Sequence, residues 1–277
     1  MTRKAVILAR GLGTRMRRPD GGIPLEAGQA AVADQGLKAM IPVGRPFLDY
    51  VLSGLADAGI AEVCLVIGPE HGSIREYYGG AARPSRLSVR FAVQERPLGT
   101  ADAVLAAEAF AAGESVLVLN ADNLYPTAAL RDLASLRPGG PASHAAGLIG
   151  FRQASLLAGG NIPPKRIQAF ALIAASTDGT LLRIVEKPSD EVSRSFGTDP
   201  LVSMNAWLLP PAIYPACRAV TPSPRGELEL QDAVRYAMER LGERFQVIES
   251  DQPVLDLSSR EDIPAVTGRL AAVEVRL

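Results

Sequence analysis

Short, wholly apolar runs recur along this chain, spaced so that a helix fits between successive ones. Residues 5–9, 63–67 and 116–119 read as buried strands, and the amphipathic stretches 47–58 and 101–112 read as helices between them. Alternation of this kind predicts βαβ units on a largely parallel sheet. Elsewhere the pattern is less regular. Strands are expected at 87–93, 146–152, 167–174, 181–185, 202–209 and 253–257, with helices at 229–241 and 260–271, so the α/β fold has a mixed, mostly parallel central sheet. Loops are marked at 137–141, 161–164 and 221–226, and no repeat or linker divides residues 1–277, which read as one domain.

Charge and composition narrow the function. The net charge is −1 and no basic stripe is present, so neither nucleic acid nor a membrane surface is an expected partner, whereas small anionic substrates are. Cys64 and Cys217 are the only cysteines, and Cys64 lies inside an apolar run, which fits a reduced, cytoplasmic protein. No run reaches the roughly 18 apolar residues of a membrane span, and the N-terminal apolar stretch is too short for a signal peptide. His71 and His144 are the only histidines and have no metal-ligand spacing around them, which disfavours zinc and Ser-His-Asp chemistry. Any metal falls to Asp and Glu, and hence to a hard ion such as Mg²⁺.

The densest candidate chemistry is KAVILARGLGTR at 4–15, a strand running into a glycine-punctuated turn. Gly11 and Gly13 can take positive φ and bring backbone N–H groups close to an anion, and Arg15 adds a rigid cationic fork. Two known phosphate motifs fail here. Met16 stands where a dinucleotide fingerprint needs its third glycine, no acid follows at the required distance, and a Walker A triplet is missing. A plain hairpin or bulge remains open for the glycines. Ligands of open α/β sheets sit beyond the carboxyl ends of the strands, so Asp122 after VLVLN and the Glu186-Lys187 pair after LLRIV are the next stations. Taken singly, Asp122 also suits a turn or helix cap, and Lys187 a solvated charge before proline.

In order and at spacing, these strings resemble the sugar nucleotidyltransferases (sugar-1-phosphate nucleotidylyltransferases, or NDP-sugar pyrophosphorylases). The resemblance is carried by LARGLGTRM, LKAMIPVGRPFLDYVLSGLADAGI, QERPLGTADAV, NADN, IVEKP, VSMNAWLL and RGELELQDAV, with VLDLSSREDI as the closing segment. It implies a Rossmann-like three-layer α/β/α fold, and an enzyme in which a sugar 1-phosphate oxygen attacks the α-phosphorus of an NTP and pyrophosphate leaves in line. The attacking phosphate, with a second pKa near 6, is already anionic, so no histidine base is needed. The resemblance assigns Leu8, Ala9, Gly11, Gly13, Thr14, Gln94, Gly99 and Thr100 to the nucleotide, Gln94 and Gly99 to its base, and Arg15 to the leaving pyrophosphate. Lys38 would contact phosphates at the reacting centre, and Asp122 and Asp232 would hold Mg²⁺. Lys187 would take the sugar phosphate, with Glu186, Asn205 and Trp207 around the sugar. Asp232 also suits the first turn of an amphipathic helix on electrostatic grounds alone.

Four departures stand out. Arg10 replaces a small residue beside the phosphate loop; 17–37 is longer than the family's segment and reads as an inserted flap or a surface ornament; Trp207 replaces a glycine of the sugar pocket; and Ala171 lies in an altered strand, FALIA. They leave the sugar open, an uncommon sugar or cyclitol phosphate included, and the base signals conflict. A catalytically silent, nucleotide-sugar-binding regulatory homologue is the alternative, and a dinucleotide-dependent oxidoreductase is disfavoured by the failed fingerprint. The chain is expected to carry no appended acyltransferase or β-helical domain, and homo-oligomerisation is left open.

Overall fold

The computed structural model describes residues 1–18, 22–80, 82–138 and 144–277. Its strands are β1 (Lys4–Leu8), β2 (Glu62–Ile67), β3 (Ser88–Val93), β4 (Val116–Asn120), β5 (Asn123–Leu124), β6 (Gly147–Arg152), β7 (Ala171–Ala175), β8 (Leu181–Val185), β9 (Leu201–Leu209), β10 (Gln246–Ser250) and β11 (Leu255–Asp256). Among the described residues the main sheet runs β10-β6-β9-β4-β1-β2-β3, with the β7-β8 hairpin attached to β9 and a separate β5-β11 ribbon. β3, β2, β1 and β4 are mutually parallel, whereas β9 runs antiparallel to β4 and β6.

The central strands are continuous apolar runs because both faces are covered. Ala5, Ile7, Leu65 and Leu117 pack on one side against the helices Phe47–Asp57 and Asp262–Leu270, while Val6, Cys64, Val66 and Val118 pack on the other against Thr100–Ala106 and Leu230–Leu241. That is the expected three-layer α/β/α arrangement. The chain moves outward from β1 to β2 and β3, then returns to place β4 on the other side of β1. The crevice opened by that reversal lies at the carboxyl ends of β1 and β4, where Ala9 and Asp122 sit.

The expected elements hold with local corrections. The 167–174 strand begins only at Ala171, because Pro164 at the first helical position starts a turn of helix, Pro164–Ile167. The 101–112 helix is interrupted at Ala107 into Thr100–Ala106 and Glu108–Ala111. Of 253–257, only Leu255–Asp256 pairs. Strand β10 and the helices Ala27–Gln35, Gly72–Gly79, Thr127–Ala134, Gln153–Gly159 and Ile213–Ala219 have no counterpart in the expected pattern. Residues 139–141 of the loop expected at 137–141 lie outside the described residues.

Candidate active site

A cavity of about 480 Å³ opens at this crevice, and Leu8, Ala9, Gly11, Gly13, Thr14, Arg15, Lys38, Gln94, Gly99, Thr100 and Asp122 all line it. The two loop glycines serve different ends. Gly13 has φ +60°, and a Cβ there would lie 2.3 Å from the Gly36 carbonyl oxygen, so no other residue fits without moving the backbone. Gly11, which could also take positive φ, does not; a Cβ there would meet nothing within 4 Å, so its glycine leaves this side of the cavity open. Among the described residues, the N–H groups of Arg10, Gly11, Leu12 and Gly13 have no backbone acceptor, an arrangement of donors that can receive an anion.

In its described part, the long segment before Lys38 packs onto the rest of the chain. The Ala27–Gln35 helix buries Ala33, its Gln29 amide donates to the Pro42 carbonyl at 2.9 Å, and Asp34 pairs with Arg260. Its end delivers Gly36 and Leu37 to the cavity wall. Residues 19–21 of the segment lie outside the described residues.

Beyond the end of β4, Lys38 Nζ donates to Asp122 Oδ2 at 2.8 Å, both side chains being about one-fifth exposed. The acid beside Asp122 is not the expected Asp232 but Asp256. β5 pairs with β11 so that Asn123 stands opposite Asp256, the Asn123 amide donates to Asp256 Oδ1 at 3.1 Å, and the N–H of Leu257 donates to the Asp122 carbonyl at 2.8 Å. Asp256 is 2% exposed, Ser258 Oγ donates to its Oδ1, and its buried Oδ2 has no hydrogen bond, with Arg166 Nε 3.3 Å away. Burial, and then the charge of Asp122, push its carboxyl up to about 6. Asp232 stands outside the cavity lining, paired with Arg235 at i,i+3 in the first turn of its helix. The clue available in the sequence was an acid between apolar residues in VLDL, since a carboxylate on a buried strand needs a partner.

In the same cavity, the Gln94 amide nitrogen donates to the Gly99 carbonyl at 3.0 Å and to Asp102 Oδ2 at 2.8 Å, so its Oε1 is the atom left to accept from a ligand. Gly99 has φ +122°, and a Cβ there would lie 2.5 Å from the Leu228 carbonyl oxygen. Thr100 Oγ1 accepts the N–H of Leu230 at 2.9 Å, so part of its hydrogen-bonding capacity ties the Leu230–Leu241 helix to this wall. Gly99→Ala is therefore expected to destabilise the protein by roughly 2–4 kcal/mol through strain and overpacking. Urea denaturation checks it, and an unchanged midpoint would show that Leu228 yields freely.

The residues expected around the sugar form a second group outside the cavity lining. Lys187 lies two residues past β8 with φ +44° and Asn205 sits within β9 with φ +58°; asparagine tolerates that region, but lysine there is strained. Glu186 is exposed, yet desolvation by the surrounding protein, then the charge of Glu229, raises its carboxyl above the ordinary range against Lys187 and Arg225, with Asp232 adding to the rise. Trp207 corrects the expectation of a reshaped pocket. It is fully buried, edge-on to Phe245 with centroids 6.3 Å apart, and its indole N–H donates to Asn205 Oδ1 at 3.4 Å. Gln231 donates to the same oxygen at 3.1 Å, so Trp207 acts behind Asn205 rather than on a ligand. Ala171 is likewise buried in β7. Among the described residues no group of three or more His, Cys, Asp or Glu side chains is gathered as a ready-made metal site.

The fold is α/β, with one cavity lined by both a glycine loop and a lysine–carboxylate pair. Residues 4–263 match the family model described as nucleotidyl transferase, and the chain belongs to that family. It is 29% identical over 237 residues to a glucose-1-phosphate thymidylyltransferase of Streptomyces griseus, an alignment covering 85% of this chain and 57% of that protein. It is 27% identical over 268 residues, 96% of each chain, to the UTP--glucose-1-phosphate uridylyltransferase AglF of Haloferax volcanii. The chain spans about half the length of most of the curated relatives it matches. Its fold superimposes on that of a UDP-glucose pyrophosphorylase complexed with UDP-glucose with a TM-score of 0.74 at 18% identity, covering 99% of this chain and 100% of that one. No helix among the described residues is long and apolar enough to cross a membrane.

Proposed function

We propose that this chain transfers a nucleoside monophosphate from an NTP to a sugar 1-phosphate, or a cyclitol phosphate mimicking one, giving the nucleotide-activated product and pyrophosphate. The reading is carried by one juxtaposition: Lys38 and Asp122, 2.8 Å apart, in a cavity also lined by a glycine loop with unused N–H groups. Family membership and the names of the two relatives support it.

The loop from Gly11 to Thr14 and the Arg15 guanidinium would bind the triphosphate, and Arg15 would offset charge gathering on the departing pyrophosphate. Lys38, released from Asp122 when ligand enters, would hold a phosphoryl oxygen at the reacting phosphorus. Gln94 Oε1 would accept from the base. Lys187 and Glu186 would receive the sugar phosphate and a sugar hydroxyl, steadied by Asn205.

The residues also fit a divalent cation. Lys38 holds the place of a cation at Asp122, and the carboxylate of Asp256 beside it is desolvated, repelled by Asp122 and left with an orphaned oxygen. Asp122 and Asp256 would hold Mg²⁺, which when bound would neutralise phosphate charge in the transition state.

Incubation with ATP, GTP, UTP, CTP or dTTP, Mg²⁺ and a panel of sugar and cyclitol phosphates, read as pyrophosphate release, tests the proposal. Turnover with at least one pair, lost on chelation, is the expected result. Nucleotide-sugar binding with no release for any pair would overturn it in favour of a silent regulatory homologue.

A further inference from the structure

Arg10 follows β1 directly and opens the glycine loop. Its side chain is only 7% exposed yet lines the cavity, and Nε and Nη1 are buried with no hydrogen-bond partner. Among the described residues its one contact with a counter-charge is loose: Nη2 lies 3.5 Å from both carboxylate oxygens of Glu70, a side chain that is 48% exposed. The room for the guanidinium is made by Gly68, where a Cβ would lie 2.5 Å from Arg10 Nε.

A guanidinium buried without a matched partner is costly, because water is lost and little replaces it. Its other neighbour cannot help. His71 is buried, its Nδ1 accepts the N–H of Gly68 at 3.3 Å, and desolvation holds it towards its neutral form. Among the described residues no carboxylate besides Glu70 pairs with Arg10, and the unused N–H groups of residues 10–13 line the same cavity. A base carbonyl or ribose hydroxyl would offer only a dipole, whereas a phosphate offers full charge and the planar oxygen spacing that a guanidinium matches.

We infer that Arg10 is a second guanidinium for the triphosphate of the incoming nucleotide, and that Glu70 is the counter-ion exchanged for phosphate when the ligand enters. The inference rests on the nucleotide reading above and adds to it a residue that answers to charge rather than to the base. Glu70, exposed and at the outer limit of contact, is placed to leave without disturbing the core.

Calorimetric titration of the full chain with inorganic tripolyphosphate, with the preferred NTP and with its unphosphorylated nucleoside tests this. Arg10→Ala is expected to weaken tripolyphosphate and NTP binding by about 10-fold or more, in proportion to a lost charge-assisted contact, and to leave the nucleoside unchanged. Arg10→Lys should restore part of the loss, and Glu70→Gln should tighten tripolyphosphate a few-fold by removing its competitor. The last two variants keep a cation in place and carry the test if Arg10→Ala fails to fold. Wild-type protein that binds tripolyphosphate and NTP while Arg10→Ala or Arg10→Lys and Glu70→Gln bind equally well would overturn the Arg10 assignment alone. A loss confined to the nucleoside would assign Arg10 to the base or ribose and overturn it too. Wild-type protein that binds neither ligand would overturn the nucleotide reading with it.

Discussion

Asp122→Asn is expected to lower turnover by about 10³-fold while leaving the fold intact, because the substitution keeps the side chain's shape and removes its charge at the reacting centre. In the ligand-free protein Lys38 and Asp122 satisfy each other at 2.8 Å, each partly open to the cavity, so the pair is poised for exchange rather than locked in the core. Losing the carboxylate removes one of the two acids that would hold Mg²⁺ and leaves the ammonium without its resting partner. Lys38→Ala is expected to cost about 10²-fold on the scale of one lost electrostatic donor, since Arg15 and the loop N–H groups still hold phosphate. Steady-state pyrophosphate release gives both values, and thermal unfolding gives the control. Asp122→Asn turnover within tenfold of wild type would remove Asp122 from the centre of the mechanism.

Asp256→Asn is expected to abolish the proposed turnover and to stabilise the protein at pH 7. The sign follows from the carboxyl's rise from 3.8 to about 6 through burial and the nearby charge of Asp122. An acid whose folded pKa is raised binds more protons folded than unfolded between those values, so its charged form weighs against folding above pH 6 and that cost is relieved as pH falls towards 4. The shift corresponds to something on the order of 2–3 kcal/mol. A neutral amide would remove it and raise Tm by roughly 5 °C in a chain of this size. Wild type should therefore gain more stability than Asp256→Asn on going from pH 7 to pH 5, and comparison of the two profiles isolates this residue from other titrating groups. Equal profiles would mean that Arg166, 3.3 Å away, already compensates the charge. Activity retained in the variant would remove Asp256 from the metal reading.

These two acids differ in how far the sequence discloses them. Asp122 follows an apolar strand and belongs to a short string, so local order was enough to single it out. Asp256 lies 133 residues from Asn123, and only the antiparallel register of two very short strands brings it there. Asp232 had a good position on a helix, but a first-turn acid is favourable electrostatically wherever the helix points, and here it meets Arg235. Trp207 was judged from its place after Asn205; the β9 register buries it between Val118 and Leu148, against Phe245, so its size fills core and not pocket.

The apolar runs, the glycine loop and the order of the polar stations by themselves determined the α/β architecture, the family and the glycine-loop side of the cavity, because strand patterning and loop composition are legible in near neighbours along the chain. The company of each acid, the burial of Arg10 without a partner and the docking of the 27–35 helix were decided only by tertiary structure. Those depend on strand register and on packing between elements far apart in sequence, where a shift of one residue reverses which side a side chain faces.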